Sequence, residues 1–160
     1  MRIYIVVKIL FVCLGNICRS PMAEFIMKNK VSVLPNAQDF YIESAATSNE
    51  ESGHDMHYGS RTCLNKHGIP YERHCARRIT KSDYDNFDYI IGMEDCHVNS
   101  MLRVFGDDPK HKVYRLLDFT SNPHNIADPY YSGDFELTFK EINEGLDGLI
   151  LKLQGLIVGL

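Results

Sequence analysis

The stretch from Ile9 to Ile26 restricts the fold of this chain more than any other. An unbroken apolar run, Ile9-Leu10-Phe11-Val12, ends in Cys13; Leu14-Gly15-Asn16-Ile17-Cys18-Arg19-Ser20 follows, and Pro21 leads into Met22-Ala23-Glu24-Phe25-Ile26. The pattern predicts a buried strand, a tight loop and a helix. Proline suits the first helical position because its missing N–H would have no intrahelical partner there, and Ser20 stands where an N-cap is wanted. The loop's N–H groups should then converge at a helix N-terminus, whose partial positive charge binds anions.

Cys13 and Arg19 bracket that loop. A thiol facing helix-terminal N–H groups and a guanidinium is favoured as the thiolate, the nucleophilic form. Arg19 carries a planar fork of donors that matches two phosphate oxygens at once. A cation at a helix N-terminus opposes the dipole and so asks for an anionic partner. Nucleophile, oxyanion cradle and clamp within one loop favour phosphoryl transfer through a cysteinyl-phosphate intermediate. Asn16 is a residue that tolerates the left-handed backbone a tight loop demands.

The full run Val12 to Pro21, with Gly15, Asn16, Cys18 and Arg19-Ser20-Pro21 in place, resembles the signature of the low-molecular-weight protein tyrosine phosphatases. A bare Cys-x5-Arg would arise often by chance. The likeness extends from about Lys8 to the C-terminus, through Ser44-Ala45-Ala46-Thr47-Ser48, His67-Gly68-Ile69, Ala76-Arg77 and Phe87-Asp88-Tyr89-Ile90 to Asp128-Pro129-Tyr130-Tyr131; residues 1–7 fall outside it. It implies one domain over residues 1–160, with four parallel strands in the order 2-1-3-4, helices on both faces and the phosphatase loop after the first strand. It also implies that Asp128 is the general acid and then the base, and that Asn16, Ser20, Ser44 and His74 form the polar network holding the loop. Leu14, Gly15, Asn16, Ile17 and Cys18 would surround the phosphate with Arg19. Cys13 and Cys18 would form a reversible disulfide that shields the nucleophile from irreversible oxidation.

Two adjacent tyrosines on a loop leave at least one exposed, so Tyr130 or Tyr131 can stack on a substrate ring. Many relatives carry an aromatic residue just after the Ser-Ala-Ala-Thr-Ser segment, whereas here Asn49, Glu50 and Glu51 follow Ser48. Glu50 and Glu51 would make an acidic rim that disfavours acidic phosphopeptides. No metal or cofactor is expected, since in-line attack by a thiolate needs neither and the remaining histidines show no metal-ligand spacing.

Along the rest of the chain, Phe40 to Ala45, Tyr89 to Met93 and Val113 to Leu117 read as strands. Helices are expected from Pro21 with Met22, Phe25 and Ile26 on one face, over Ser60–His67 with Gly68 as the stop, from Thr80 to Phe87 with Asp83 as the capping partner, and over Glu94–Phe105. From Asp134 on, Phe135, Phe139, Ile142, Leu146, Leu149, Leu153 and Leu156 recur at helical spacing. The first strand should span Ile3 to Val12.

At 160 residues, 44% hydrophobic and 24% charged, the chain is long and apolar enough for a core. A net charge of −4 with scattered basic residues argues against nucleic acid as a partner. Five cysteines without a paired Cys-x2-Cys pattern read as reduced thiols in the cytoplasm, and Cys63, Cys75 and Cys96 as ordinary buried ones. The apolar N-terminus is broken by Lys8, lacks a cleavage site and is far short of the ~20 residues that span a bilayer. The expected partner is a tyrosine-phosphorylated protein, and the expected state a cytoplasmic monomer with no membrane association. Rival readings are a thioredoxin-coupled arsenate reductase, which needs two further cysteines close together, and a phosphoarginine phosphatase, whose loop carries Thr where this one has Ile17. A non-enzymatic phosphate-binding module would have lost Cys13, Arg19 or Asp128, and all three are present.

Overall fold

The structure, a computed structural model, describes residues 6–158, with side chains described to residue 155. The elements in order are β1 (Val7–Cys13), α1 (Arg19–Val31), β2 (Phe40–Ala46), α2 (Tyr58–Lys66), α3 (Lys81–Asn86), β3 (Tyr89–Gly92), α4 (Asp95–Phe105), β4 (Val113–Arg115), α5 (Pro129–Ser132) and α6 (Phe135–Val158). Short 3-10 turns occupy Ala37–Asp39 and Leu116–Phe119. The expected strand residues Ile3 to Ile5 and the side chain of Leu156 lie outside the described residues.

The four strands are parallel and ordered β2-β1-β3-β4. β1 is central, and Ile9, Leu10, Phe11 and Val12 are all fully buried. Successive side chains of a strand point to opposite faces. Ile9 and Phe11 join α1, α2 and α6 in one apolar cluster, while Leu10 and Val12 join Tyr84 and Met101, from α3 and α4, in another. A parallel strand covered on both faces must be apolar at every position, which is why this run reads as continuous rather than alternating. Each such side chain contributes roughly 1.5–3 kcal/mol by leaving water.

Several boundaries differ from the sequence reading. α1 starts at Arg19 rather than Pro21, and Cys18 rather than Ser20 holds the N-cap position. Pro21 is thereby the third helical residue, still in the turn whose N–H groups have no partner. α1 is also buried all round from Arg19 to Met27 rather than on one face, because it lies between the sheet and the helices α2 and α6. β4 stops at Arg115, and Leu116 and Leu117 turn into the 3-10 segment, where Asp118 accepts from the Arg115 N–H at 3.3 Å. Gly68 follows α2 with φ +68° as expected of a helix stop, and Asp83 accepts from the Thr80 N–H at 2.8 Å to open α3. Cys63 is buried, but Cys75 and Cys96 are exposed, one on an extended segment and one on the outer face of the first turn of α4.

With all strands parallel, Cys13, Ala46, Gly92 and Arg115 end at the same edge of the sheet. Chain order reverses at β1, whose neighbours are β2 on one side and β3 on the other. The crevice beyond the carboxyl end of such a strand is where open α/β sheets bind ligands.

Candidate active site

The segment between β1 and α1 is shaped by what its carbonyls bond. Cys13 O accepts from Thr47 N at 2.9 Å, Leu14 O from Ser48 N at 3.1 Å, and Ile17 O from His57 N at 2.8 Å. Asn16 O lies 2.8 Å from His74 Nε2, and Cys18 O accepts from Ser60 Oγ at 3.3 Å. Every carbonyl in this set is turned to the surrounding protein. The loop N–H groups are thus left for the opposite side, where they form the concave nest that binds anions.

Asn16 is the pivot. It is fully buried with φ +57°, the left-handed conformation. Its Nδ2 donates to Ser20 Oγ at 2.8 Å and to Ser44 Oγ at 2.9 Å, while its Oδ1 receives the Arg77 N–H at 3.2 Å and sits 3.1 Å from His74 Nε2. Both oxygens facing His74 Nε2 are acceptors, so that nitrogen carries the proton. Ser44 in turn donates to Glu24 Oε1 at 2.6 Å. Since Ser20 Oγ already accepts from Asn16, its own hydrogen is free for Cys13 Sγ at 3.0 Å, nearer than Ala45 O at 3.4 Å. The Asn16 N–H donates to the same sulfur at 3.3 Å. This also explains why Ser20 is no cap: its hydroxyl is turned to the thiol. Asn16, Ser20, Ser44 and His74 are thus joined in one hydrogen-bonded network. Asn16 does not line the cleft, however, and supports the loop from behind.

Arg19 is 2% exposed, and its guanidinium is held from the far side. NH1 donates to Glu94 Oε2 at 2.6 Å and to Ile126 O at 2.7 Å, and NH2 stands 3.3 Å from Asp128 Oδ2. His97 Nε2 lies 3.5 Å from NH2, and His97 Nδ1 accepts from the N–H groups of both Met93 and Glu94 at 3.1 Å. Burial, then the Arg19 charge, depress His97 to about 3, so it is neutral and hydrogen-bonds as a fixed tautomer. Neither Glu94 nor His97 was a sequence candidate. The signal available was position alone: a carboxylate directly after β3, at the ligand-binding edge.

Asp128 caps α5, where its Oδ1 accepts from Tyr130 N at 3.0 Å, and its other oxygen faces Arg19. The cleft between the loop and this cap has a volume of about 160 Å³ and is lined by Cys13, Leu14, Gly15, Ile17, Cys18, Arg19, Glu50, Glu51, Asp128, Tyr130 and Tyr131. Glu51 stands beside Glu50 at the rim; its Cγ would lie 3.3 Å from a Cβ at Gly15, a tight contact with a partly exposed side chain. Both tyrosines are exposed, at 58% and 78%, and they meet edge to face. Cys18 is buried, and that burial, with Cys13 beside it, pushes its thiol up to about 12.

A thiol at the mouth of an anion nest, a buried guanidinium beside it and a carboxylate across the cleft define a cysteine-dependent phosphatase. Comparison with known proteins agrees. The family profile of low-molecular-weight phosphotyrosine protein phosphatases matches residues 8–156. The Bacillus subtilis low-molecular-weight protein-tyrosine-phosphatase YfkJ is 35% identical over 150 residues, covering 92% of this chain and 96% of that protein. Its crystal structure superposes with a TM-score of 0.90 over 94% and 96% of the two chains. The human low-molecular-weight phosphotyrosine protein phosphatase is 38% identical over 84% of this chain and 87% of its own. The crystal structure of a Drosophila arginine phosphatase, 31% identical over 91% and 97% of the chains, gives a TM-score of 0.81. The chain belongs to the low-molecular-weight phosphotyrosine protein phosphatase family.

Proposed function

We propose that this protein hydrolyses phosphotyrosine and related aryl phosphate monoesters on protein substrates through a cysteinyl-phosphate intermediate. The observation that carries the reading is the loop whose Cys13, Leu14, Asn16, Ile17 and Cys18 carbonyls are tied to the surrounding protein while Cys13 Sγ and the Arg19 fork border the same cleft. The phosphoryl oxygens sit among the loop N–H groups and against Arg19. Cys13 attacks phosphorus as the bond from phosphorus to the phenolic oxygen breaks, and Asp128 delivers a proton to that leaving oxygen. The Asp128 carboxylate then takes a proton from water, which attacks phosphorus and breaks the sulfur–phosphorus bond. Charge building on the phosphoryl oxygens is met by donors already in place. Tyr130 and Tyr131 supply a wall for the aromatic ring, and Glu50 with Glu51 an acidic rim. Ile17 in the cleft supports an aromatic ester over a phosphoguanidine. No helix among the described residues is long and apolar enough to cross a membrane, and a cytoplasmic monomer is the state we assign.

The test is phosphate release from a phosphotyrosine peptide at mildly acidic pH with no metal added. Wild type should turn over and Cys13→Ser should not, while Asp128→Ala should lose roughly 10²–10⁴-fold, and less for esters with good leaving groups. Turnover by Cys13→Ser would remove the nucleophile assignment, and an equal Asp128→Ala loss across leaving groups would remove the acid. No release from folded wild type would turn attention to arsenate and then phosphoarginine.

A further inference from the structure

Across the seam between α2 and α6, three side chains of different ligand chemistry converge, and none of them lines the phosphate cleft. Cys63 and His67 are four residues apart at the end of α2 and so share a face. Glu136 reaches them from the first turn of α6. Cys63 Sγ is 3.6 Å from Glu136 Oε1, and His67 Nε2 is 2.7 Å from Glu136 Oε2. One ligand atom from each of the three lies within 4.8 Å of both others. Tetrahedral ligands at about 2.0–2.3 Å from a zinc ion stand about 3.3–3.8 Å apart, so no pair of these donors is more than about 1.5 Å from that spacing.

Two features orient the donors. The His67 ring is stacked on Phe139 with centroids 3.8 Å apart and planes 8° from parallel, which fixes the direction of Nε2. Cys63 is 3% exposed and held between Glu136 and the Phe135 carbonyl, also at 3.6 Å. Without a cation the Cys63 S–H offers the carboxylate only a weak donor. We propose that Cys63, His67 and Glu136 form a binding site for a zinc-type divalent cation, with thiolate, imidazole and carboxylate ligands and water in the fourth position.

On binding, the Cys63 S–H bond breaks and its proton leaves to solvent as the sulfur–metal bond forms; no electrons are transferred. The dication answers the thiolate and carboxylate charges together. Tetrahedral nitrogen and oxygen ligands of zinc stand about 3.3 Å apart, so the His67–Glu136 contact opens by a few tenths of an ångström. Glu136 is 48% exposed and has room to move. Lys66, now 3.5 Å from Glu136 and itself on the surface, gives up its place. The bound ion would clamp α2, whose N-terminus supports the phosphate loop through His57, to the long helix α6.

Cobalt(II) is the spectroscopic probe and zinc the thermal one, in the full chain carrying Cys13→Ser so that the reactive thiol of the cleft is absent. One equivalent of cobalt should give a thiolate-to-cobalt charge-transfer band that Cys63→Ser abolishes and Cys75→Ser leaves intact. Zinc at about a hundredfold excess over its Kd should raise Tm by about 5–10 °C. Binding should tighten about tenfold per pH unit, because one thiol proton is released. His67→Gln and Glu136→Gln, at accessible positions, should lose the thermal shift even if Cys63→Ser folds poorly. No band, a band that survives Cys63→Ser, or a thermal shift retained by both surface variants would each overturn the site.

Discussion

Arg19 is one of the largest side chains to be fully buried in this molecule, and a cation that far from water must be paired where it stands. Glu94, the Ile126 carbonyl and Asp128 answer it, and His97 closes the remaining side without adding charge. The neutrality of His97 has consequences for stability. Its folded pKa, about 3, lies below the unfolded value near 6.5, so between those pH values the unfolded chain binds the extra proton. Stability from this residue is therefore complete above pH ~6.5 and falls as pH drops toward 3, by roughly 1.4 kcal/mol per unit. His97→Leu should remove that slope. It also strips the acceptor from the buried Met93 N–H, at about 1–3 kcal/mol, and from the part-buried Glu94 N–H, so its stability at neutral pH should fall. His97→Asn places an amide oxygen near the site of Nδ1 and should recover part of the loss. Urea unfolding from pH 4 to 8 reads all three outcomes; an unchanged slope in His97→Leu would contradict the neutral assignment.

At the scale of elements, the segment carrying Asp128 is irregular yet tied at nearly every residue. Asn125 Oδ1 accepts from Asp95 N at 3.0 Å and from Arg115 NH1 at 2.9 Å, Ile126 N donates to Met93 O at 3.0 Å, and the Ala127 carbonyl accepts from Thr138 Oγ1 at 3.3 Å. His124 bonds Glu141 on α6. α4, β4 and α6 together thus place the α5 cap, and with it Asp128, opposite Cys13. Asn125→Ala removes two of these ties without touching the cleft. The two bonds, both at the surface, hold about 1–3 kcal/mol together; with about a third to a half of that felt at Asp128, turnover of esters with poor leaving groups should fall roughly 3–10-fold, with KM little changed. Amide exchange at residues 126–128 should quicken in parallel; a lower kcat with unchanged exchange would mean that Asn125 acts by another route. None of these ties was legible in the sequence. The β1–loop–α1 unit was, because its chemistry is contiguous, and Asp128 was found only through the resemblance to a family. Glu94 and Asn125 act on Arg19 and Asp95 from 75 and 30 residues away, and no local pattern marks such pairs.

At the scale of the whole molecule, α6 closes one face of the sheet, and its approach is set by glycines that a helical pattern gives no reason to expect. The periodic leucines of α6 predicted the helix and its buried stripe, and Ile142, Leu146, Leu149 and Leu153 are indeed buried. How near the helix comes is decided elsewhere. A Cβ at Gly148 would lie 2.1 Å from the Phe119 carbonyl oxygen, whereas one at Gly155 would meet nothing within 4 Å among the described residues. Alanine favours a helix over glycine by roughly 0.8–1.0 kcal/mol at either position. At Gly155 that gain is unopposed, and Gly155→Ala should stabilise the protein by up to about 1 kcal/mol. At Gly148 the obstacle is backbone of the 3-10 turn after β4, which cannot rotate aside as a side chain can. Forcing α6 and that turn apart should cost about 1–3 kcal/mol, so the clash outweighs the propensity and Gly148→Ala should be net destabilising. The turn also leads into the segment that carries Asp128, so displacement there should reach the cleft. Gly148→Ala should therefore lower turnover as well as Tm, while Gly155→Ala should raise Tm with turnover unchanged. Thermal unfolding and phosphatase assay of the two variants side by side decide it, and equal effects on stability would show that helix propensity, not this contact, governs the packing of α6.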